Sequence, residues 1–232
     1  FNLMRRLDYT LLGIALLGLL LTPATILAGD EVLEPHPHPA MLKPISSAPK
    51  GIQLNDAELK SLENGESVLR QIRGEGGGVG VAIQLIHALP SHIWDTVLNY
   101  DRYQEWVDNV DSCRVYKNDQ GKLYVDMRTS VLWLDNAVFT INTIRKDQGY
   151  MSWVLDRTHT SDVQDMVGYW RIESLSENPP LSKLEHSTEL RISGVPDFLI
   201  RYLMEDSLTE GTAWVKREAE KLAKKKPKVS KR

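Results

Sequence analysis

From about residue 112 to residue 192 apolar and polar side chains alternate with a period of two, the signature of strands with one buried face. Turn chemistry interrupts the alternation at Asn118-Asp119-Gln120-Gly121, Asp135-Asn136, Asp147-Gln148-Gly149 and Asn178-Pro179-Pro180, dividing it into successive antiparallel hairpins. No helical period intervenes, so parallel crossover units are excluded and the class is α+β. Parity then assigns an inner face. It holds Val125, Met127, Thr129, Val131 and Trp133, then Met151, Trp153 and Leu155, then Gly168, Trp170 and Ile172. Leu184, His186, Thr188, Leu190 and Ile192 continue it, and the apolar Phe139 and Ile141 are placed with them. Tyr124, Asp126, Arg128 and Ser130 fall on the opposite face.

Helical signals flank this run. Asn55 with Glu58 three residues on forms a capping box ahead of Leu59 and Leu62, and Gly65 ends that helix. Gly74-Glu75-Gly76-Gly77-Gly78-Val79-Gly80 invites a phosphate-loop reading, but such a loop must lead into a helix N-terminus. Here Val79 to Ile86 is apolar and branched, the profile of a strand, so the glycines are a turn or bulge entering it. Ser91 then caps a helix through Ile93, Trp94, Val97 and Leu98, and a second short helix spans about Arg102 to Val107. A long amphipathic helix begins near Val195-Pro196 and carries Phe198, Tyr202, Leu203, Leu208, Val215 and Ala219 at helical spacing. Phe198, Tyr202 and Leu203 share one stripe and are expected to face the tryptophans of the sheet. Gly211 permits a bend or close packing within that helix.

The ends of the chain follow other rules. Arg5 and Arg6 precede the apolar run Leu11 to Leu21, Pro23 breaks it, and small residues stand at Ala24 and Ala28. The run covers about half of the roughly 20 residues a membrane span needs. Residues 1–28 therefore read as a signal peptide cleaved after Ala28, with an uncleaved anchor as the alternative, and the protein is expected to be exported to a periplasmic or extracellular location. Residues 29–50 contain Pro35, Pro37, Pro39, Pro44 and Pro49 and read as an extended spacer before a domain of residues 51–223. The basic tail, residues 224–232, is either a disordered, solubilising end or a peripheral contact for anionic headgroups.

Composition narrows the function classes. The 232 residues are 42% hydrophobic and 25% charged, the values of an ordinary folded protein, and the net charge of -3 gives the chain no electrostatic reason to seek nucleic acid. The single Cys113 cannot form an internal disulfide, and no positioned histidine is evident to activate it, so it reads as a small buried hydrophobe. His36 and His38 supply two imidazoles where a closed metal site needs three or four ligands. There is no Gly-x-Ser-x-Gly elbow, no His-Glu-x-x-His and no Walker loop, and no metal or cofactor is implied.

Two passages carry a family likeness. Ala88-Leu89-Pro90-Ser91-His92-Ile93-Trp94, followed by Asp101-Arg102-Tyr103-Gln104-Glu105-Trp106, and later Gly168-Tyr169-Trp170, resemble the opening and late-strand motifs of the START-like superfamily, the polyketide cyclase, coenzyme Q-binding and lipid-transport group. The likeness extends over roughly residues 79–223. It implies a helix-grip (Bet v 1-like) fold, a curved antiparallel sheet wrapped around the C-terminal helix, with a cavity between them. The inner-face residues Met127, Val131, Trp133, Phe139, Trp153, Trp170, His186 and Thr188, with Phe198, Tyr202 and Leu203 from the helix, would line it. Such residues equally suit a dry core, and His186 suits either a hydrogen-bonded core position or a ligand contact. The leading expectation is binding or transfer of an apolar small molecule (lipid, quinone or sterol-like) in the cell envelope, with no catalytic residue assigned. The alternative is a cyclase or dehydratase using His186, Asp126 or Arg128, although parity turns Asp126 and Arg128 away from the cavity.

Overall fold

The computed structural model describes residues 34–74, 76–131, 134–193 and 197–225; of Arg73, Val131 and residues 197–210 it describes the backbone alone. The segment expected to be a signal peptide, the end of the basic tail and Trp133 lie outside the described residues. The elements run in the order α1 (Asp56–Glu63), β1 (Val68–Gly74), β2 (Gly77–Ile86), α2 (Pro90–Val97), a 3₁₀ turn (Tyr100–Arg102), α3 (Tyr103–Trp106), β3 (Val110–Asp119), β4 (Lys122–Val131) and β5 (Leu134–Arg145). There follow β6 (Tyr150–Leu155), β7 (Asp165–Glu177), β8 (Pro180–Arg191) and α4 (Asp197–Lys224). The strands form one curved, fully antiparallel sheet in the order β1-β2-β8-β7-β6-β5-β4-β3, which with the C-terminal helix is the helix-grip fold.

Local chemistry explains most boundaries. The Asn55–Glu58 capping box starts α1 in both directions, with Glu58 N–H donating to Asn55 and Asn55 N–H to Glu58. The glycine run proves to be the turn of a hairpin, pairing β2 with the strand β1 that alternation alone had not revealed. Gly77 pairs with Arg191 so closely that a Cβ there would stand 2.1 Å from the Leu190 carbonyl oxygen, so only glycine fits. Helix α2 begins one residue before the expected cap: Pro90 takes its first turn and Leu89 is the N-cap without a side-chain bond, because proline's missing N–H loses nothing there. The turn expected at Asp135-Asn136 lies earlier, since Val131 already pairs with Leu134 and Ser130 with Asp135.

Both faces of the sheet are covered. The outer face carries α1, whose Leu62 packs on Val68 and Ile83 together with Ile52 and Leu54. It also carries the described part of the proline-rich segment, which is docked on the sheet rather than free as a spacer would be. Met41 and Leu42 N–H donate to the Asp165 carboxylate at 2.6 and 2.7 Å, Arg157 donates to the His38 carbonyl, and Ile52 N–H donates to Glu185. His36 is buried in this strap, accepting from Ser161 N–H through Nδ1 while Nε2 lies 2.9 Å from the Gln164 carbonyl. Proline suits the segment because its extended φ leaves neighbouring N–H groups to bond sideways to the sheet. On the inner face, α2, α3 and the C-terminal half of α4 pack Ile93, Trp94, Val97, Tyr103, Trp214, Val215 and Ala219 against Ile86, Met151, Trp170 and Leu184.

Candidate functional site

The inner face is not filled completely. A cavity of about 390 Å³ lies on it, bounded by strands β2 to β8, by Tyr100 and Tyr103, and by Gly211 and Trp214 of α4. Because side chains alternate along each strand, β4 contributes Val125, Met127 and Thr129, and β6 contributes Met151 and Trp153. Met166 and Trp170 come from β7, and His186, Thr188 and Leu190 from β8. The wall is mostly apolar with a few polar groups, the usual make-up of a small-molecule pocket.

Three aromatic rings set its centre. His186 stacks on Trp170 at 4.1 Å between ring centroids and lies 5.6 Å from Trp153, and the two tryptophans are 6.4 Å apart. The Trp153 ring lies over Gly168, its register partner on β7: a Cβ at 168 would stand 2.2 Å from the indole and 2.4 Å from the Ser187 carbonyl oxygen. The glycine of the Gly168-Tyr169-Trp170 element is therefore a seat for the indole. His186 keeps some surface, yet its Nδ1 is sealed and has no hydrogen-bond partner among the described residues, while Nε2 lies 3.2 Å from the Thr188 hydroxyl.

Burial decides the charge of the wall. It pushes the His186 imidazole down to about 4, because the charged ring would lose its hydration without gaining a partner. It pushes the Cys113 thiol up to about 12, helped by the carboxylates of Asp126 and Asp101. Tyr100 and Tyr103 are raised for the same first reason, and the Tyr103 hydroxyl donates to the Val97 carbonyl at 2.6 Å. All four groups are neutral near pH 7.

Of the residues expected to line the cavity, Met127, Trp153, Trp170, His186 and Thr188 do border it. Phe139 does not: it pairs in register with Asp126, not with an inward residue, and lies on the outer face. There it stacks on His159 at 4.7 Å beside Tyr116. Ile141 shares that face, beneath Leu42 and Pro44 of the strap. The inward residues of β5 are instead Asn136, Val138, Thr140 and Asn142. An apolar parity rule chose the wrong set because the strap makes the outer face of β5 a core surface too. The Val131 side chain and those of Phe198, Tyr202 and Leu203 lie outside the described residues, although the backbones occupy β4 and α4 as expected. Sequence reasoning missed Tyr100, Tyr103, Cys113, Gly211 and Trp214. Their signals were weaker ones: Tyr103 stands in the family-like passage, Cys113 reads as a buried hydrophobe, Gly211 permits close packing, and Trp214 stands next to Val215 of the helical stripe.

The polyketide cyclase/dehydrase and lipid transport family matches residues 86–209, from the end of β2 to the middle of α4. The chain belongs to this family. No curated protein matches the chain in sequence. Among solved structures, the Zhui aromatase/cyclase from Streptomyces sp. R1128 is 15% identical, covers 66% of this chain and 95% of its own, and superposes with a TM-score of 0.51. A START superfamily protein from Mycobacterium smegmatis is 13% identical, covers 63% of this chain and 99% of its own, with a TM-score of 0.53. At these identities the likeness is one of fold, and the family spans both ligand binding and catalysis, so function must be argued from the cavity.

Proposed function

We propose that this family member binds and carries an apolar small molecule, of lipid, quinone or sterol-like character, in the cavity between sheet and C-terminal helix. The observation that carries the reading is a cavity of about 390 Å³ with a mostly apolar wall and a neutral imidazole at His186. Apolar cargo gains on the order of 25 cal/mol for each Å² of apolar surface removed from water, which is the driving force such a wall supplies. Its size lies near the lower end of ordinary ligand pockets, which suits one chain or one ring system better than a two-chain lipid. An envelope location, reached through the amino-terminal apolar segment, completes the proposal.

The catalytic alternative finds less support. A general base works best with a pKa near the operating pH, whereas the His186 imidazole is held at about 4 and has no carboxylate beside it among the described residues. Asp126 and Arg128 are bonded to one another at 2.7 Å on the outer face. Native mass spectrometry after gentle extraction tests the binding reading, with a retained or exchangeable apolar adduct as the expected result. Turnover of a polyketide-like substrate that is lost in a folded His186→Ala variant would reverse the ranking.

A further inference from the structure

An asparagine in the middle of a buried strand face is disfavoured both by strand propensity and by the cost of burying an amide. Asn142 holds such a position on β5, between the apolar register partners Leu123 of β4 and Trp153 of β6, and is only 4% exposed. It borders the cavity together with Thr140, its neighbour along the same strand face. Both amide protons are used locally: Nδ2 donates to the Thr140 hydroxyl at 2.9 Å and to the Leu123 carbonyl at 3.4 Å. Because that carbonyl can only accept, the contact sets which end of the amide is nitrogen. Asn142 Oδ1 accepts no hydrogen bond from any described residue and, unlike Nδ1 of His186, is not sealed. Thr140 is half-buried, and its hydroxyl accepts from Asn142 while its own proton goes to no described partner.

The wall of β5 therefore offers the cavity one acceptor, Asn142 Oδ1, and one donor, the Thr140 hydroxyl, tied to each other by a hydrogen bond. A ligand hydroxyl matches both, since it donates one proton and accepts another. A ketone or ether oxygen accepts from Thr140 but has no proton to give, and it would bury Asn142 Oδ1 unpaired. Thr129 and Asn136, a register pair further along β4 and β5, stand nearer the rim, where Ser130 N–H bonds the carbonyl of the exposed Asn109 and water competes with any ligand. We infer that Thr140 and Asn142 form the polar subsite of the cavity and select, among apolar molecules that fit it, alcohols and phenols over the ketones and ethers of the same skeleton. The inference rests on the binding reading above and names the polar group of its ligand.

The test uses the full chain near neutral pH with the uncharged dye Nile red as the bound reporter, displaced by dodecan-2-ol or by dodecan-2-one, which share one skeleton and differ by two hydrogens. The alcohol is expected to displace the dye at a concentration about ten-fold below the ketone, the ratio that one buried acceptor left unpaired produces. Asn142→Leu, close in shape but without the acceptor, should bring the ratio near one by weakening the alcohol alone. Thr140→Val, nearly isosteric, should weaken alcohol and ketone together, and it keeps the subsite testable if Asn142→Leu does not fold. Equal displacement by the two probes in the wild type, as when a bound water already serves Asn142, overturns the inference and leaves the binding reading standing. A ratio that survives in folded Asn142→Leu, or a Thr140→Val protein that binds both probes as the wild type does, overturns it as well. A wild-type protein that retains neither the dye nor either probe overturns both.

Discussion

The outer face of the sheet is covered by a strap, a helix and a loop, and it is rich in ion pairs; the inner face is covered by helices, has a mostly apolar wall on which His186, Cys113, Tyr100 and Tyr103 are neutral, and keeps a cavity. Asp165 and Glu185 are almost fully buried on the outer side. Asp165 takes two strap N–H groups and the Arg157 guanidinium at 2.6 Å, while Glu185 is held by Arg171 and Lys183 at 3.1 and 3.2 Å. Asp156, although burial pushes its carboxyl up, ends below the usual range because Thr158 and Tyr116 donate to it. Each buried carboxylate there has donors fixed by backbone or by planar guanidinium groups, so the charge is tolerable. No carboxylate among the described residues stands beside His186 to pair an imidazolium, and the neutral form prevails there. The difference teaches that a face held by a permanent strap can use charge, while a face that must admit an apolar guest is better served by neutrality.

The largest expected effects lie on the outer face. Replacing Asp165 or Glu185 by alanine strands a guanidinium or ammonium and the strap N–H groups, and should lower stability by about 3 kcal/mol or more in urea melts. A loss below about 1 kcal/mol would mean the strap adds little to the fold, and the contrast between the faces would collapse.

Side-chain truncation sharpens the same contrast. Ile83 is fully buried beneath α1 on the outer face, so Ile83→Ala should cost about 2–5 kcal/mol. Met127 borders a space that water or ligand can refill, so Met127→Ala should cost about 1 kcal/mol or less while weakening uptake of an apolar dye. Equal losses at the two positions would mark the inner face as solid. Gly168→Ala should fall between them, at about 1–3 kcal/mol, because the added methyl meets both the Trp153 ring and the Ser187 carbonyl. Near-ultraviolet circular dichroism should report the displaced indole.

Acid titration separates the faces by sign and residue. His186 has a folded value of about 4 against an ordinary 6.5, so the unfolded chain takes up its proton first. Its contribution to stability is fully present above about pH 6.5 and is lost as pH falls toward 4. Stability measured across that window should fall less steeply in His186→Phe than in the wild type; identical slopes would mean the ring is not held neutral by burial. The smallest effect is kinetic. Cys113, with a thiol pushed up to about 12, should react slowly with N-ethylmaleimide at neutral pH and more slowly still when an apolar ligand fills the cavity.

Much of this architecture is readable in the order of residues alone. The Asn55–Glu58 box, the hairpin turns at 118–121 and 147–149 and the period-two face of β4, β6, β7 and β8 are local signals. Their causes, capping, turn geometry and the pleat, act within a few residues. The same locality made Met127, Trp153, Trp170, His186 and Thr188 visible as one face, and the α+β class followed from the order of elements, while the helix-grip form came from the family resemblance. What tertiary structure alone decided was which surfaces a second layer covers. A strap from residues 34–54 buries the outside of β5, so Phe139 and Ile141 point away from the cavity and Asn136, Thr140 and Asn142 toward it. The close approach of Gly77 to Leu190 joins β2 to β8, a contact more than a hundred residues apart. Tyr100 and Gly211 join the cavity wall only once α4 crosses the sheet. Burial, unlike capping or turn formation, is a property of pairs of distant segments, and no single stretch of sequence contains it.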